Sequence, residues 1–334
     1  MKSLSYDINM EFNFATKIKL HNIYWFHDIL LSRQADLDTF LSSPGYFYHT
    51  GRRGLWLVKQ SGGDWCLFCL HPNLENCMLV FPSPGPLNVE FLTEVCQLIS
   101  KTTDYQIRLC RILEKYKTTL ANSPQFAPVQ ELVLDWLFPC VVFSAARIIN
   151  QKGSAFSKFR QNIRKIHKHK AKTINPVTED HFDICNQLFE KWAHSVAAQK
   201  NFAFPNLLNP NISGLRLSLD PRSDVQGCLV MYDECPVGFF SYECIPESEE
   251  VCCISMCSDR SVQGASEYTY FIFSEIVTKL GKKYFNLNGS ETSTLDRFRK
   301  KLSPWRRYQI YSFEFVGPTA KILPVSLNDP IGDN

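Results

Sequence analysis

Twice along this chain, two apolar runs flank a polar turn, and a third apolar run and an amphipathic helix follow. In the first half Leu55–Gln60 and Trp65–Leu70 are joined by Ser61-Gly62-Gly63-Asp64, a hairpin signal because Gly and Asp supply the positive φ that a tight turn needs. MLVFPSPGP (78–86) is the third run, stopped by prolines that cannot donate to a strand ladder. Asn88 then caps a helix with Phe91, Leu92, Val95 and Leu98 on one face. In the second half GCLVMYDECPVGFFSYEC (227–244) turns at Asp233–Pro236, VCCISMCSD (251–259) follows, and after the loop RSVQGAS comes the helix EYTYFIFSEIVTKLG (267–281). No repeat exists by identity, so the repetition is one of architecture. It predicts an α/β (α+β) chain with two tandem lobes, each a mixed, mostly antiparallel sheet flanked by helices.

The 334 residues suit two domains of about 150 each. ANSPQFAP (121–128) is the most linker-like stretch, and FPCVVFS (138–144) reads as a new strand followed by a short helix, AARIINQKG. These features divide the chain into an amino-terminal lobe, 1–137, and a carboxyl-terminal lobe, 138–334. Residues 1–45 read as mixed, with a helix at Gln34–Leu41. Thr178 opens a long helix, TEDHFDICNQLFEKWAHSVAAQ, whose first turn carries Glu179 and Asp180.

With 45% apolar and 13% aromatic residues the chain can fill two cores, and a net charge of +3 gives no global case for nucleic acid or membrane. MKSLSYDINMEFNF has no apolar run of the kind a secretion signal needs, and LVLDWLFPCVVF (132–143) is interrupted by Asp135 and Pro139. Thirteen scattered cysteines, an odd number, read as buried free thiols in a reducing cytoplasm. Cys66, Cys69, His71 and Cys77 have knuckle-like spacing, but an odd offset along a strand sends Cys66 and Cys69 to opposite faces, so no metal is expected.

Charge is concentrated locally. FSKFRQNIRKIHKHKAK (156–172) carries Lys158, Arg160, Arg164, Lys165, Lys168, Lys170 and Lys172 with no acid, while Phe156, Phe159, Ile163 and Ile166 fall at helical spacing. This predicts a helix with one buried and one cationic face, fit for the phosphates of tRNA or an anionic lipid headgroup, or else simply solvated. YFNLNGSETSTLDRFRKKLSPW (284–305) reads as a strand, an Asn-Gly turn and a helix with Leu295, Phe298 and Leu302 inward and Arg297, Lys300 and Lys301 outward. YQIYSFEFV (308–316) is the last strand.

The order of elements in the second half resembles the acyltransferases of the GNAT fold. FSKFRQNIRKIHK and NLNGSETSTLDRFRKKLSP resemble, respectively, the basic helix and the Asn-x-Gly-x-Ser … Leu-x-x-Phe-Lys ending of the DUF2156 group. That group holds the soluble part of phosphatidylglycerol lysyltransferases, and the ending is shared with FemX-like aminoacyl transferases. The likeness covers roughly residues 45–316. It implies transfer of an acyl or aminoacyl group to an amine or hydroxyl of a small molecule, peptide or lipid headgroup. The donor is acyl-coenzyme A or aminoacyl-tRNA, with no tightly bound cofactor. The second lobe would be catalytic and the first structural or acceptor-binding.

The resemblance also places a site where the sheet splays. Glu291 is then the candidate base, Asn288 the candidate oxyanion donor and Tyr268 the candidate acid. Arg260, Gln263, Gly264 and Ala265 form the donor loop, with Asn286, Ser290, Arg297 and Lys301 as further donor-binding candidates. Lys158, Arg160, Arg164, Lys165 and Lys168 would hold a polyanion. The loop lacks the second glycine of Arg/Gln-x-x-Gly-x-Gly/Ala, having Ser266 there, which weakens the case for coenzyme A. The same residues also read as a capped Asn-Gly turn, which leaves a non-catalytic module that binds RNA, nucleotide or protein as the alternative.

Overall fold

The apolar runs pair into two seven-stranded sheets, in the computed structural model of the chain. It describes residues 10–19, 42–60, 63–129, 138–167, 171–200, 204–245, 247–290 and 292–317, so the helix expected at Gln34–Leu41 lies outside the described residues. The first half supplies β1 (Thr16–Ile18), α1 (Pro44–Thr50), β2 (Leu55–Lys59), β3 (Trp65–Leu70) and β4 (Cys77–Pro82). Then come α2 (Val89–Thr102), β5 (Gln106–Leu113), α3 (Glu114–Ala121) and β6 (Phe126–Pro128). The second half begins with β7 (Cys140–Ser144), α4 (Ala145–Asn150), α5 (Ser157–His167), β8 (Ala171–Ile174), α6 (Phe182–Lys200) and α7 (Phe204–Leu219). It continues with β9 (Gln226–Tyr232), β10 (Cys235–Cys244), β11 (Glu250–Ser258), α8 (Ala265–Lys279), β12 (Tyr284–Asn286), α9 (Ser293–Lys301), β13 (Arg306–Tyr308) and β14 (Ile310–Phe315).

The first sheet runs β1-β2-β3-β4-β5-β14-β6 and the second β13-β7-β12-β11-β10-β9-β8. Each contains one parallel pair, β4 with β5 across α2 and β11 with β12 across α8, and all other pairs are antiparallel. The repetition read from the sequence is therefore a tandem of GNAT-like lobes.

Strand exchange locks the lobes together. β6 is followed by β7, which enters the second sheet between β12 and β13. β13 is followed by β14, which enters the first sheet between β5 and β6. ANSPQFAP is accordingly not a linker: α3 ends in it, and its Phe126 is a buried residue of β6.

Strands covered on both faces read as continuous apolar runs. All six residues of β3 are buried, with Cys66 in the core beneath α2 and Cys69 in the core on the other face. The second sheet is covered on one face by α4, α5 and α8, through Ile148, Phe159, Ile163 and Phe273. On the other face Leu188, Phe189 and Leu215 of α6 and α7 pack against β9 and β10. α1 stands between the sheets: Phe47 joins the first sheet's core and its neighbour Tyr46 the second's.

Candidate functional site

The splay arises where β11 outruns its parallel partner. Glu250–Cys252 pair with Tyr284–Asn286, after which β12 stops while β11 continues to Ser258. A register slip against β10 between Ser241 and Tyr242 bends β11 near the same point. Asn288 follows in the left-handed region, φ 57°, which Asn tolerates because its short polar side chain bonds locally. Its Nδ2 reaches across the gap to the Cys253 carbonyl at 2.9 Å, and its backbone N–H donates to Asn286 Oδ1 at 2.9 Å. Asn286 in turn donates through Nδ2 to the Tyr308 hydroxyl at 2.9 Å. Asn288 Oδ1 is buried and has no hydrogen-bond partner among the described residues.

Arg299 of α9 holds this turn from beneath. Its Nη1 donates to the Gly289 carbonyl at 2.6 Å, Ser290 Oγ at 3.0 Å and the Asn288 carbonyl at 3.2 Å, and its Nε reaches the Tyr270 hydroxyl at 3.3 Å. Asp296, one turn earlier, is buried with Arg307 at 2.6 Å and Lys300 at 3.0 Å. The helix thus turns Asp296 and Arg299 inward with Leu302, while Leu295 and Phe298 are half-buried. Apolar spacing gave no sign of Arg299. The signal was its place, directly after Phe298, where the resembling ending has Lys.

Of the expected site residues, Asn286, Asn288 and Ser290 come together, but as interior groups bonded to the fold. Arg297 and Lys301 lie exposed on α9. Glu291 lies outside the described residues. Tyr268 is buried, and burial, with the Glu275 charge adding, raises its hydroxyl pKa. Tyr270, on the same helix, is the tyrosine that touches the Arg299 network.

The donor loop and the basic helix form one unit. Gly264 has φ 95°, and a Cβ there would stand 2.8 Å from the Asn162 backbone oxygen of α5, so only glycine lets the helix settle on the loop. Asn162 Nδ2 donates to Glu267 Oε1 at 2.7 Å, and Lys165 Nζ to Gln263 Oε1 at 2.7 Å. Upstream, Asp259 accepts from Lys191 Nζ at 2.6 Å, the Ser261 N–H at 2.9 Å and Ser261 Oγ at 2.7 Å. Burial pushes the Asp259 pKa up, but the Lys191 and Ser261 donors outweigh it and hold the carboxyl below its usual value. Arg260 and Gln263 are exposed, while Gly264 and Ala265 are buried.

α5 buries Phe159, Ile163 and Ile166, as their spacing predicted, and exposes Lys158, Arg164 and Lys165. Arg160 is tethered to the carbonyls of Gln151 and Gly153. The helix ends sooner than charge and spacing suggested. It is described as far as His167; Lys168 and Lys170 lie outside the described residues, and Lys172 belongs to β8, where it pairs with Glu234 at 2.7 Å.

Two buried charges missed by sequence reasoning sit where the lobes meet. Arg111 lies 4.4 Å from the ring centroids of Tyr46 and Phe81 and donates to Thr50 Oγ1 at 2.8 Å. The Glu243 carboxylate accepts from the Gly45 N–H at 3.1 Å and from the Ser43 hydroxyl. A cleft of about 620 Å³ lies apart from these groups, at the start of α2, with Asp64 and Glu90 in its wall. Among the described residues no group of His, Cys, Asp or Glu could hold a metal ion.

A family model for the C-terminal part of phosphatidylglycerol lysyltransferase matches residues 141–316. No curated protein matches the chain. Among solved structures, a conserved protein of unknown function from Bacteroides thetaiotaomicron is 12% identical with a TM-score of 0.68, the match covering 90% of this chain and 99% of that one. L-PGS from Bacillus licheniformis is 11% identical with a TM-score of 0.58, covering 89% and 92%. FemX is also 11% identical with a TM-score of 0.58, covering 92% and 97%. At such identities these structures speak for the fold alone. The family model spans more than half of the chain, from β7 through β14, and the protein belongs to the family of the phosphatidylglycerol lysyltransferase C-terminal domain.

Proposed function

We propose that the chain moves an aminoacyl group from the ester of an aminoacyl-tRNA to an amine or hydroxyl acceptor, with the second lobe catalytic. The observation that carries this reading is the seat of α5 on the loop before α8. A pyrophosphate cradle needs open backbone N–H groups at a helix start. Here the Asn162 backbone rests on Gly264, the Ser261 N–H is given to Asp259, and Glu267 stands in the first turn of α8. Asp259 is already paired with Lys191, and the Glu267 carboxylate opposes a pyrophosphate by like charge. The same arrangement turns Lys158 and Arg164 outward, where they suit the phosphates of an RNA whose charged end enters the splay.

In the reaction the acceptor nitrogen or oxygen attacks the ester carbonyl. The new C–N or C–O bond replaces the bond to the ribose oxygen, and the acceptor's proton ends on that oxygen. The acceptor is a lipid headgroup, peptide or small metabolite. Among the described residues no helix is long and apolar enough to cross a membrane. All thirteen cysteines are free, which supports a reducing cytoplasm as the place of action.

A second reading, a non-catalytic binding module, is favoured by the complete burial of Asn286 and Ser290 within the fold's own hydrogen bonds. Titration of the purified chain with total aminoacyl-tRNA, uncharged tRNA and acetyl-coenzyme A, each at two salt concentrations, separates the readings. The expected result is saturable binding, tighter for the charged tRNA, that weakens with salt. Lys158→Glu and Arg164→Glu should each reduce the log–log salt slope by about 1. Tight acetyl-coenzyme A binding would overturn the donor assignment. Equal binding of charged and uncharged tRNA with no aminoacyl release would favour the binding module.

A further inference from the structure

We infer that Asn288 orients the attacking group, accepting one of its N–H or O–H bonds at Oδ1; this rests on the transferase reading above. The amide orientation follows from its surroundings. Nδ2 lies 2.9 Å from the Cys253 carbonyl, and the flipped amide would set two acceptor oxygens against each other. The backbone N–H is already given to Asn286 Oδ1. What the residue lacks is a donor to its Oδ1, which is buried and has no hydrogen-bond partner among the described residues. Stabilising an oxyanion takes a donor, so the unmet demand at Asn288 is for the opposite partner, the hydrogen of a nucleophile.

The location supports the same role. Asn288 bridges the first step beyond the last β11–β12 pair, Cys252 with Asn286, where the sheet opens. Its burial (7% exposed) makes an unmade hydrogen bond costly, and a ligand that donates there recovers it. Arg299 also sets the charge state of what binds. Its Nη1 is 3.2 Å from the Asn288 carbonyl, and a cation that close disfavours an ammonium beside it. The group held at Oδ1 is therefore a neutral amine or a hydroxyl, the form whose lone pair attacks. As the nitrogen bonds to the ester carbon it gains positive charge, and its N–H···Oδ1 bond strengthens in the transition state. The C–O bond to the ribose then breaks, and the proton shed by nitrogen goes to the ribose oxygen.

The test uses the full chain, aminoacyl-tRNA as donor and hydroxylamine as a neutral probe nucleophile, with hydroxamate formation measured above the uncatalysed rate. Asn288→Gly keeps the left-handed backbone and removes the acceptor. It should raise the KM for hydroxylamine about tenfold, the loss of one hydrogen bond, with donor Kd unchanged. Asn288→Asp, in the form whose second oxygen carries a proton and donates it to the Cys253 carbonyl, keeps an acceptor at the same place and should then hold that KM within about threefold, and it serves as the reporter if the glycine variant does not fold. An unchanged KM in folded Asn288→Gly, a donor Kd weakened in its place, or a tenfold KM rise in folded Asn288→Asp would overturn the inference. No transfer by the unmodified chain would instead overturn the transferase reading, and the inference with it.

Discussion

The carboxylate of Glu243 is buried where α1 of the first lobe meets β10 of the second, and no cation is among the groups that shift its pKa. Burial pushes that pKa up from 4.5 to about 7, the Ser43 hydroxyl and the Gly45 N–H oppose the rise, and the Asp224 charge adds to it. A carboxyl whose folded pKa is raised costs nothing below its unfolded value, costs progressively more as pH climbs to the folded value, and costs a constant amount above it. Stability should therefore fall between pH 4.5 and about 7 by on the order of 3 kcal/mol from this group alone. Glu243→Gln should flatten that slope, melting above the unmodified protein at pH 8 and together with it near pH 4. Thermal unfolding across that range checks it, and parallel curves for the two proteins would remove Glu243 as the cause. Such residues are hard to read in advance: Glu243 and Arg111 stand in apolar-looking segments and Arg299 among other basic residues, and only tertiary packing tells a buried charge from a solvated one. Asn288 was legible as a turn residue, because Asn-Gly chemistry is local, but which of its amide atoms is spent depends on Cys253, 35 positions away.

Elements with local punctuation were legible to within a residue or two. β2 and β3 flank their glycine turn, Asn88 caps α2 through the Phe91 N–H at 3.0 Å, and β9 and β10 meet at Asp233-Glu234, both with positive φ. α7 was not read from the sequence; its segment FPNLLNPN carries Pro205 and Pro210, residues that ordinarily break helices, although Pro210 sits inside this one. α9 was found with its apolar face inward and Arg297, Lys300 and Lys301 exposed, but the burial of Asp296 and Arg299 was not read, since they occupy positions that binary patterning assigns to solvent. The docking of α5 on the donor loop is a contact between elements about 100 positions apart, and Gly264 is its hinge point. Gly264→Ala should cost about 3 kcal/mol by combining left-handed strain with the collision against Asn162. Gly281→Ala is the control, with φ 71° but no atom of the described residues within 4 Å of the added carbon, and should cost about 1 kcal/mol. Chemical denaturation of both variants measures the difference, and equal losses would mean that α5 yields freely at Asn162.

At the scale of the whole molecule, local pattern names strands but not their partners. YQIYSFEFV reads correctly as a strand, yet nothing within it says that β14 leaves the second lobe, one residue after β13, to fill the first sheet. Its partners there are β5, through Phe313 with Leu109 and Glu314 with Arg108, and β6, through Phe315 with Phe126. β7 makes the reverse crossing and joins β12 to β13. A fragment of residues 1–137 would thus expose the inner edge of β5, and β6 would have no neighbour in its sheet. An open β edge beside buried Phe126 and Leu109 invites aggregation rather than independent folding. The expected outcome is that 1–137 alone is insoluble or protease-sensitive, as is a chain ending at Gln309. Co-expressing 1–137 with 138–334 should restore a soluble complex, because 138–334 carries both β7 and β14. A monomeric, cooperatively folding 1–137 fragment would show that the first sheet closes without β14. A complex of the two pieces that unfolds in one transition would instead establish that the exchanged strands make both lobes a single cooperative unit.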